Sequence, residues 1–267
     1  MIKKLIILLI IILPLDVFAL TPEEIVKESQ AVFFYKGQDF KTRVSMKLIG
    51  GSGQGRIREL TMIRKNYGDT GGQQKIFMYF FQPADVKDMT FMVYKYPAKD
   101  DDRWLFIPAV NMVKRISAQD KHSSFAGSDF TYEDISGRDV EDDTHEIKEA
   151  GRTLPIGNEN RDCFVIKSTP RFPGGDYSYK LSYIDKDTFV PLKEEYFDRK
   201  GELYKIYTAD EIKIIDGFPT VIKRTMKNLS SGHKTEVVLT KTNYNIGIED
   251  NLFSERYLKQ PPQKLIE

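Results

Sequence analysis

Residues 198–244, DRKGELYKIYTADEIKIIDGFPTVIKRTMKNLSSGHKTEVVLTKTNY, decide the fold class. Asp198-Arg199-Lys200-Gly201, Asp216-Gly217 and Ser231-Gly232 are hairpin turn signals, since these residue types accept the backbone twist of a tight turn. Their near-equal spacing leaves strands of about 12 residues, roughly 40 Å at the usual rise. Alternation assigns Tyr204, Ile206, Thr208, Ile212 and Ile214 to one face of the first long strand, and Phe218, Thr220, Ile222 and Met226 to the same face of the next. Lys205, Glu211, Lys213, Lys223 and Lys227 take the other face. Long antiparallel strands with one wet and one apolar face must curl around something or pack on something.

Upstream, the same logic extends the sheet. Thr21 followed by Pro22, Glu23 and Glu24 is a helix start, and Ile25, Val26, Ser29, Val32 and Phe33 fall on one helical face before Gly37. The period then changes to two: Phe40, Thr42, Val44, Met46 and Leu48 alternate with Lys41, Arg43, Ser45 and Lys47. Glycine-rich turns at Gly50 to Gly55 and Asn66 to Gly72 set off strands over Arg56 to Lys65 and Gln74 to Gln82. Pro83-Ala84-Asp85 turns the chain into another apolar segment, Met89 to Tyr96, and a meander is the simplest connection.

Between these regions lies DDRWLFIPAVNMVKRISAQDKHSSFAGSDFTYED, residues 101–134. Its first half carries Trp104, Phe106, Met112 and Ile116, and Pro108, which cannot donate to a central ladder, makes it a strand pair or a bent strand. Its second half sets Phe125, Phe130 and Tyr132 among serines, glycines and aspartates with no clean period. Loops of this length inside a compact domain are often lids or binding loops. The plain alternative is that these aromatics plug one end of the sheet.

The ends and the composition narrow the class. Met1 to Ala19 combines Lys3 and Lys4, an apolar run from Leu5 to Leu15, and Val17-Phe18-Ala19, the pattern of a secretory signal peptide cleaved near Ala19. Residues 20–267 then form a single domain. With 40 basic and 39 acidic side chains, the chain lacks the charge excess of a nucleic-acid binder. The lone Cys163 cannot form an intramolecular disulfide and reads as a small core residue. An outer-membrane barrel would need a continuous apolar outer band, yet Lys, Arg and Glu recur along one face of nearly every strand.

Catalytic and metal signals are weak. His122, His145 and His233 show no metal spacing, so no metal or cofactor is expected. His122, Ser123, Ser124 and Ser128, with Asp120 or Asp129, lack a GxSxG elbow, and capping of turns is the favoured role of the serines. Asp100-Asp101-Asp102 and Glu141-Asp142-Asp143 lack the spaced oxygens of a calcium loop. Arg171 to Gly175 is a plain loop by composition, with Phe172 offered to a partner.

The block Asp101-Asp102-Arg103-Trp104-Leu105, Pro108-Ala109, Arg115-Ile116-Ser117, Phe125, Gly127-Ser128-Asp129-Phe130 and Tyr132-Glu133-Asp134 resembles the LolA-like family of outer-membrane lipoprotein-sorting proteins, in its longer branch. The resemblance implies a mainly β fold: an incomplete, half-open antiparallel β-barrel with an N-terminal helix, short lid helices or loops, and a hydrophobic cavity for acyl chains. It implies a periplasmic, non-enzymatic, monomeric carrier whose partners are the acyl chains of a lipoprotein or lipid, and an inner-membrane exporter of the resistance-nodulation-division type as a further partner. Sheltering a chain of about 16 carbons is worth on the order of 12 kcal/mol before losses, so such a carrier needs an apolar wall and a movable lid rather than a catalytic motif. The expected acyl-contacting residues are Trp104, Phe106, Met112, Phe125, Phe130, Tyr132, Ile206 and Ile222, with Arg103, Arg115 and Asp129 pinning the lid. An accessory subunit docking on an exporter and a lipid hydrolase using Ser123, Ser124 or Ser128 are the alternatives.

Overall fold

The computed structural model describes residues 20–68, 71–97, 99–157, 159–172 and 177–262. The expected signal peptide, and Pro173 to Gly175 of the loop after Phe172, lie outside them. Helix α1, Pro22–Phe34, opens with a complete capping box: Thr21 accepts from the Glu24 amide while the Glu24 carboxylate accepts from the Thr21 amide. Two meanders follow. The first comprises β1 Asp39–Ile49, β2 Gly55–Tyr67, β3 Gln73–Gln82, β4 Thr90–Lys95, β5 Asp102–Ile107 and β6 Met112–Ile116. The second comprises β7 Asp143–Ile156, β8 Glu159–Pro170, β9 Tyr179–Asp185, β10 Pro191–Phe197, β11 Leu203–Ile215, β12 Phe218–Asn228 and β13 Lys234–Tyr244.

Because β13 pairs antiparallel with β1, both meanders merge into one 13-stranded sheet whose order runs β6-β5-β4-β3-β2-β1-β13-β12-β11-β10-β9-β8-β7. The sheet curls without closing, as the half-open barrel expectation requires. Its two edges, β6 and β7, are consecutive in the chain. Residues 117–142 must therefore travel from one edge of the sheet to the other, and they do so across its concave side. Topology alone makes this segment a lid.

Pro108 resolves the strand pair, since a short 3-10 helix, Pro108–Val110, joins β5 to β6 as a hairpin. The lid is more ordered than a loop. It contains a 3-10 helix at Ala118–His122, an isolated bridge between Ser124 and Thr131, and helix α2, Tyr132–Ser136, whose capping box pairs Thr131 with Asp134. Cys163 is fully buried, its Sγ 2.9 Å from the Arg152 carbonyl oxygen, and burial pushes its thiol up to about 11.

Alternation predicted β1 well but failed on β11. Register shifts between Ala209 and Ile212 break the period of two. Tyr207 and Ala209 turn inward at 4% and 1% exposure, so Ile206 takes the opposite side, paired with exposed Lys227. Lys205, expected on the wet face, is buried and stacks over Tyr196.

The convex face of β2–β5 is covered by the C-terminal segment. Ile248, Leu252, Phe253 and Leu258, the last on helix α3, Arg256–Lys259, pack on Ile63, Phe77, Met92 and Phe106. Thr90 donates to the Leu258 carbonyl at 2.7 Å, and Tyr94 donates to the Phe253 carbonyl.

Candidate functional site

A cavity of about 190 Å³ lies between the concave face, α1 and the lid. Inward positions of β1–β3 and β13 supply an apolar wall of Val44, Met46, Leu60, Ile76, Met78 and Leu239. α1 contributes Val32, Phe33 and Phe34 as a roof, and the lid contributes Phe125 and Phe130. Phe125 is the most buried of the lid aromatics at 1% exposure, its ring 5.2 Å from Phe91 and 5.7 Å from Tyr132. Ligand pockets commonly measure roughly 300–1,000 Å³, so the lid side chains occupy part of the space that a whole acyl chain would fill.

A cluster of ion pairs, with a hydrogen bond, ties the crossing segment to the sheet and to α1. Glu133 on α2, 7% exposed, takes Lys121 Nζ at 2.9 Å, Arg138 Nη1 at 3.2 Å and His122 Nδ1 at 3.5 Å. Burial works to raise the Glu133 carboxyl, but Arg138 and Lys121 outweigh it and hold the group below its ordinary value. Arg138 also grips Asp143 at the start of β7 at 2.9 Å, and its carbonyl accepts from Gln30 on α1 at 2.6 Å. Lys95 on β4 meets Asp139 at 2.9 Å, and Lys205 on β11 reaches Asp134 at 3.5 Å. The sequence assigned no role to Lys95, Lys121 or Arg138, and it marked Glu133 only as part of the Tyr132-Glu133-Asp134 motif. The legible signal was Thr131-x-x-Asp134, a helix start that would have placed Glu133 on a short helix inside the loop.

The expected site residues divide cleanly. Phe125 and Phe130 line the cavity, and Tyr132 packs behind them against Phe91 at 5.3 Å. Trp104 and Phe106 belong to the cluster on the convex face, because β5 presents that side of its alternation to the C-terminal segment. Met112 is exposed near the edge hairpin. Ile206 and Ile222 are not among the lining side chains; Tyr207 and Val221 are. Of the polar candidates, Arg103 binds Asp101 at 2.6 Å and donates to Ser136 of α2 at 3.0 Å. Asp129 accepts from Thr235 Oγ1 at 2.8 Å and faces His233 Nδ1 at 2.6 Å, tying the lid to β13. Arg115 pairs with Asp102 and is 70% exposed.

Comparison with known proteins agrees with this architecture. A family model whose description reads "uncharacterized protein" matches residues 72–260. A putative outer membrane lipoprotein-sorting protein domain from Vibrio parahaemolyticus is 29% identical, with 90% of this chain and 98% of that one covered and a TM-score of 0.78. The chain belongs to the LolA-like family. A DUF1329 family protein from Desulfovibrio piger is 28% identical over 88% of this chain and 95% of that one, with a TM-score of 0.77. A LolA superfamily protein from Nitrosomonas europaea shares the fold at 18% identity, 90% and 100% coverage and a TM-score of 0.65. No curated protein matches the chain.

Within this LolA-like chain the lid serines play backbone roles. Ser124 donates to the Ser128 carbonyl at 2.6 Å and Ser128 to the Phe125 carbonyl at 2.7 Å, while His122 faces Glu133. A serine–histidine contact occurs elsewhere, His145 Nδ1 to Ser168 Oγ at 2.9 Å, but His145 Nε2 lies 2.9 Å from a backbone carbonyl and Ser168 is 1% exposed. Among the described residues no cluster of His, Cys, Asp or Glu is arranged to hold a metal ion, and no helix is long and apolar enough to cross a membrane.

Proposed function

We propose that this protein is a non-enzymatic periplasmic carrier that shelters the acyl chains of a lipoprotein or lipid on the way to the outer membrane, working as a monomer. The observation that carries the reading is the cavity itself: an apolar concave wall closed by a segment that the strand order forces across the opening. The names of the Vibrio and Nitrosomonas relatives, an outer membrane lipoprotein-sorting domain and a LolA superfamily protein, support it. Since the closed cavity is smaller than a common ligand pocket, loading requires the lid to swing or its phenylalanines to turn aside.

Acyl chains should co-purify with the protein from a host with two membranes and appear by mass spectrometry after organic extraction. Fluorescent fatty acids should compete with them. Protein that repeatedly yields no lipid and binds no fluorescent fatty acid would sink the reading.

A further inference from the structure

The cavity is not apolar throughout. Arg64 on β2 and Arg224 on β12 both line it, and neither guanidinium has a carboxylate within 4.0 Å among the described residues. The other cations around the cavity are paired: Lys180 with Glu194 at 2.6 Å, Arg138 with Asp143 and Glu133. Arg64 is 5% exposed and donates from Nη2 to the Lys36 carbonyl at 2.6 Å, while its Nε has no partner among the described residues. Arg224 has a sealed, unpartnered Nε, and two aromatic rings face its guanidinium, Phe33 at 5.5 Å and Phe130 at 5.9 Å from its Cζ.

These groups form one belt. The register sets Arg64 beside Phe40 and Phe40 beside Tyr244, and the Tyr244 phenol feels both guanidinium charges. Tyr207 adds a buried hydroxyl without a partner, its ring 6.2 Å from Phe33. Burial pushes the Arg64 guanidinium down to about 10 and lowers that of Arg224, so for each the desolvation cost outweighs the favourable charges around it. Buried donors without acceptors are rare in native proteins, and two such cations on the wall of one cavity mark the place of an anion.

We propose that Arg224, with Arg64 and the Tyr207 hydroxyl, binds the anionic oxyacid headgroup, carboxylate or phosphate, of an amphiphile whose acyl chain lies along the apolar wall. The proposal rests on the carrier reading and specifies its cargo as acidic. Arg224 is the principal contact because no carboxylate among the described residues lies within 4.0 Å of its guanidinium and its Nε is unpartnered, whereas Arg64 is also tethered to the Lys36 carbonyl.

The test compares palmitate, lysophosphatidic acid and methyl palmitate on the full chain, with Arg224→Met and Arg224→Lys beside wild type. Wild type should bind at least one acid about tenfold or more tighter than the ester, as charge-assisted hydrogen bonds imply. The better acid identifies carboxylate or phosphate as the source. Arg224→Met should lose the preference while retaining the ester, and Arg224→Lys should keep part of it. An ester bound by wild type as tightly as both acids overturns the proposal and leaves the carrier reading standing, whether or not the variants fold. A preference unchanged in folded Arg224→Met also overturns it. Binding of none of the three removes both.

Discussion

Strands β2–β5 bury apolar side chains on both faces, and the two faces are covered by different means. The convex cover, residues 248–259, is filled by Ile248, Leu252, Phe253 and Leu258, and its buried polar ties are to backbone, including the Asp39 carboxylate that accepts from the Ile246 and Ile248 amides at 2.7 and 2.8 Å; its one ion pair among the described residues, Lys65 with Asp250 at 2.6 Å, is at the surface. The concave cover, residues 117–142, leaves a cavity and is held at its rim by charge, through Glu133, Lys121, Arg138, Lys95 and Arg103. Apolar burial adds stability in proportion to area, whereas buried ion pairs roughly break even and chiefly define geometry. The convex cover is therefore structural glue, and the concave cover is a positioned door.

The sharpest way to break this contrast is to empty a site on each face. Phe253→Ala should cost about 3–5 kcal/mol in urea unfolding and leave fatty-acid affinity per folded molecule unchanged, since the residue never meets the cavity. An affinity change comparable to the stability loss would mean that the two faces are coupled. Phe125→Ala should cost about 3 kcal/mol and also enlarge the cavity, so stopped-flow uptake of a fluorescent fatty acid should quicken; unaltered uptake would show that the door moves without this ring.

Glu133→Gln should cost about 1–3 kcal/mol because Lys121 and Arg138 lose a buried acceptor, and amide exchange over residues 118–137 should rise more than exchange over 248–259. The pH dependence follows from the depressed carboxyl. Its stabilisation is complete above its ordinary value of 4.5 and is lost as pH falls through the lower folded value, so the lid should loosen in acid; the Asp250 carboxyl of the convex cover is also held down by Lys65, but that pair is exposed and contributes little. Lid exchange that stays flat down to pH 3 would remove Glu133 from the ties that hold the lid. Smallest of all, Arg115→Ala breaks an exposed pair and should shift stability by about 0–1 kcal/mol with no effect on binding; a larger effect would place the edge hairpin in the mechanism.

Local pattern carried most of the fold. The Thr21 capping box, the alternation of Phe40 to Leu48 and the hairpin turns at Gly201, Gly217 and Gly232 are visible because each depends on neighbours within a few residues. The candidate site was legible only in part. Phe125 and Phe130 stood out as aromatics in a loop, but Trp104 and Phe106 were sent to the wrong side, since an apolar residue on a strand buried on both faces does not say which face it serves. Ile206 was misplaced for another reason: the bulged register of β11 inverts the parity that alternation assumes.

Chain chemistry dictated the elements, their turns and the presence of an aromatic crossing segment, because those follow from residue-by-residue backbone preference and periodicity. Only the three-dimensional arrangement decided that β13 would pair with β1, that the β6–β7 connection would thereby become a lid, and that Arg64 and Arg224 would face one cavity with no carboxylate among the described residues within 4.0 Å of either. These depend on pairings between residues far apart in the chain, as Phe40 and Tyr244 are, and no local preference encodes them.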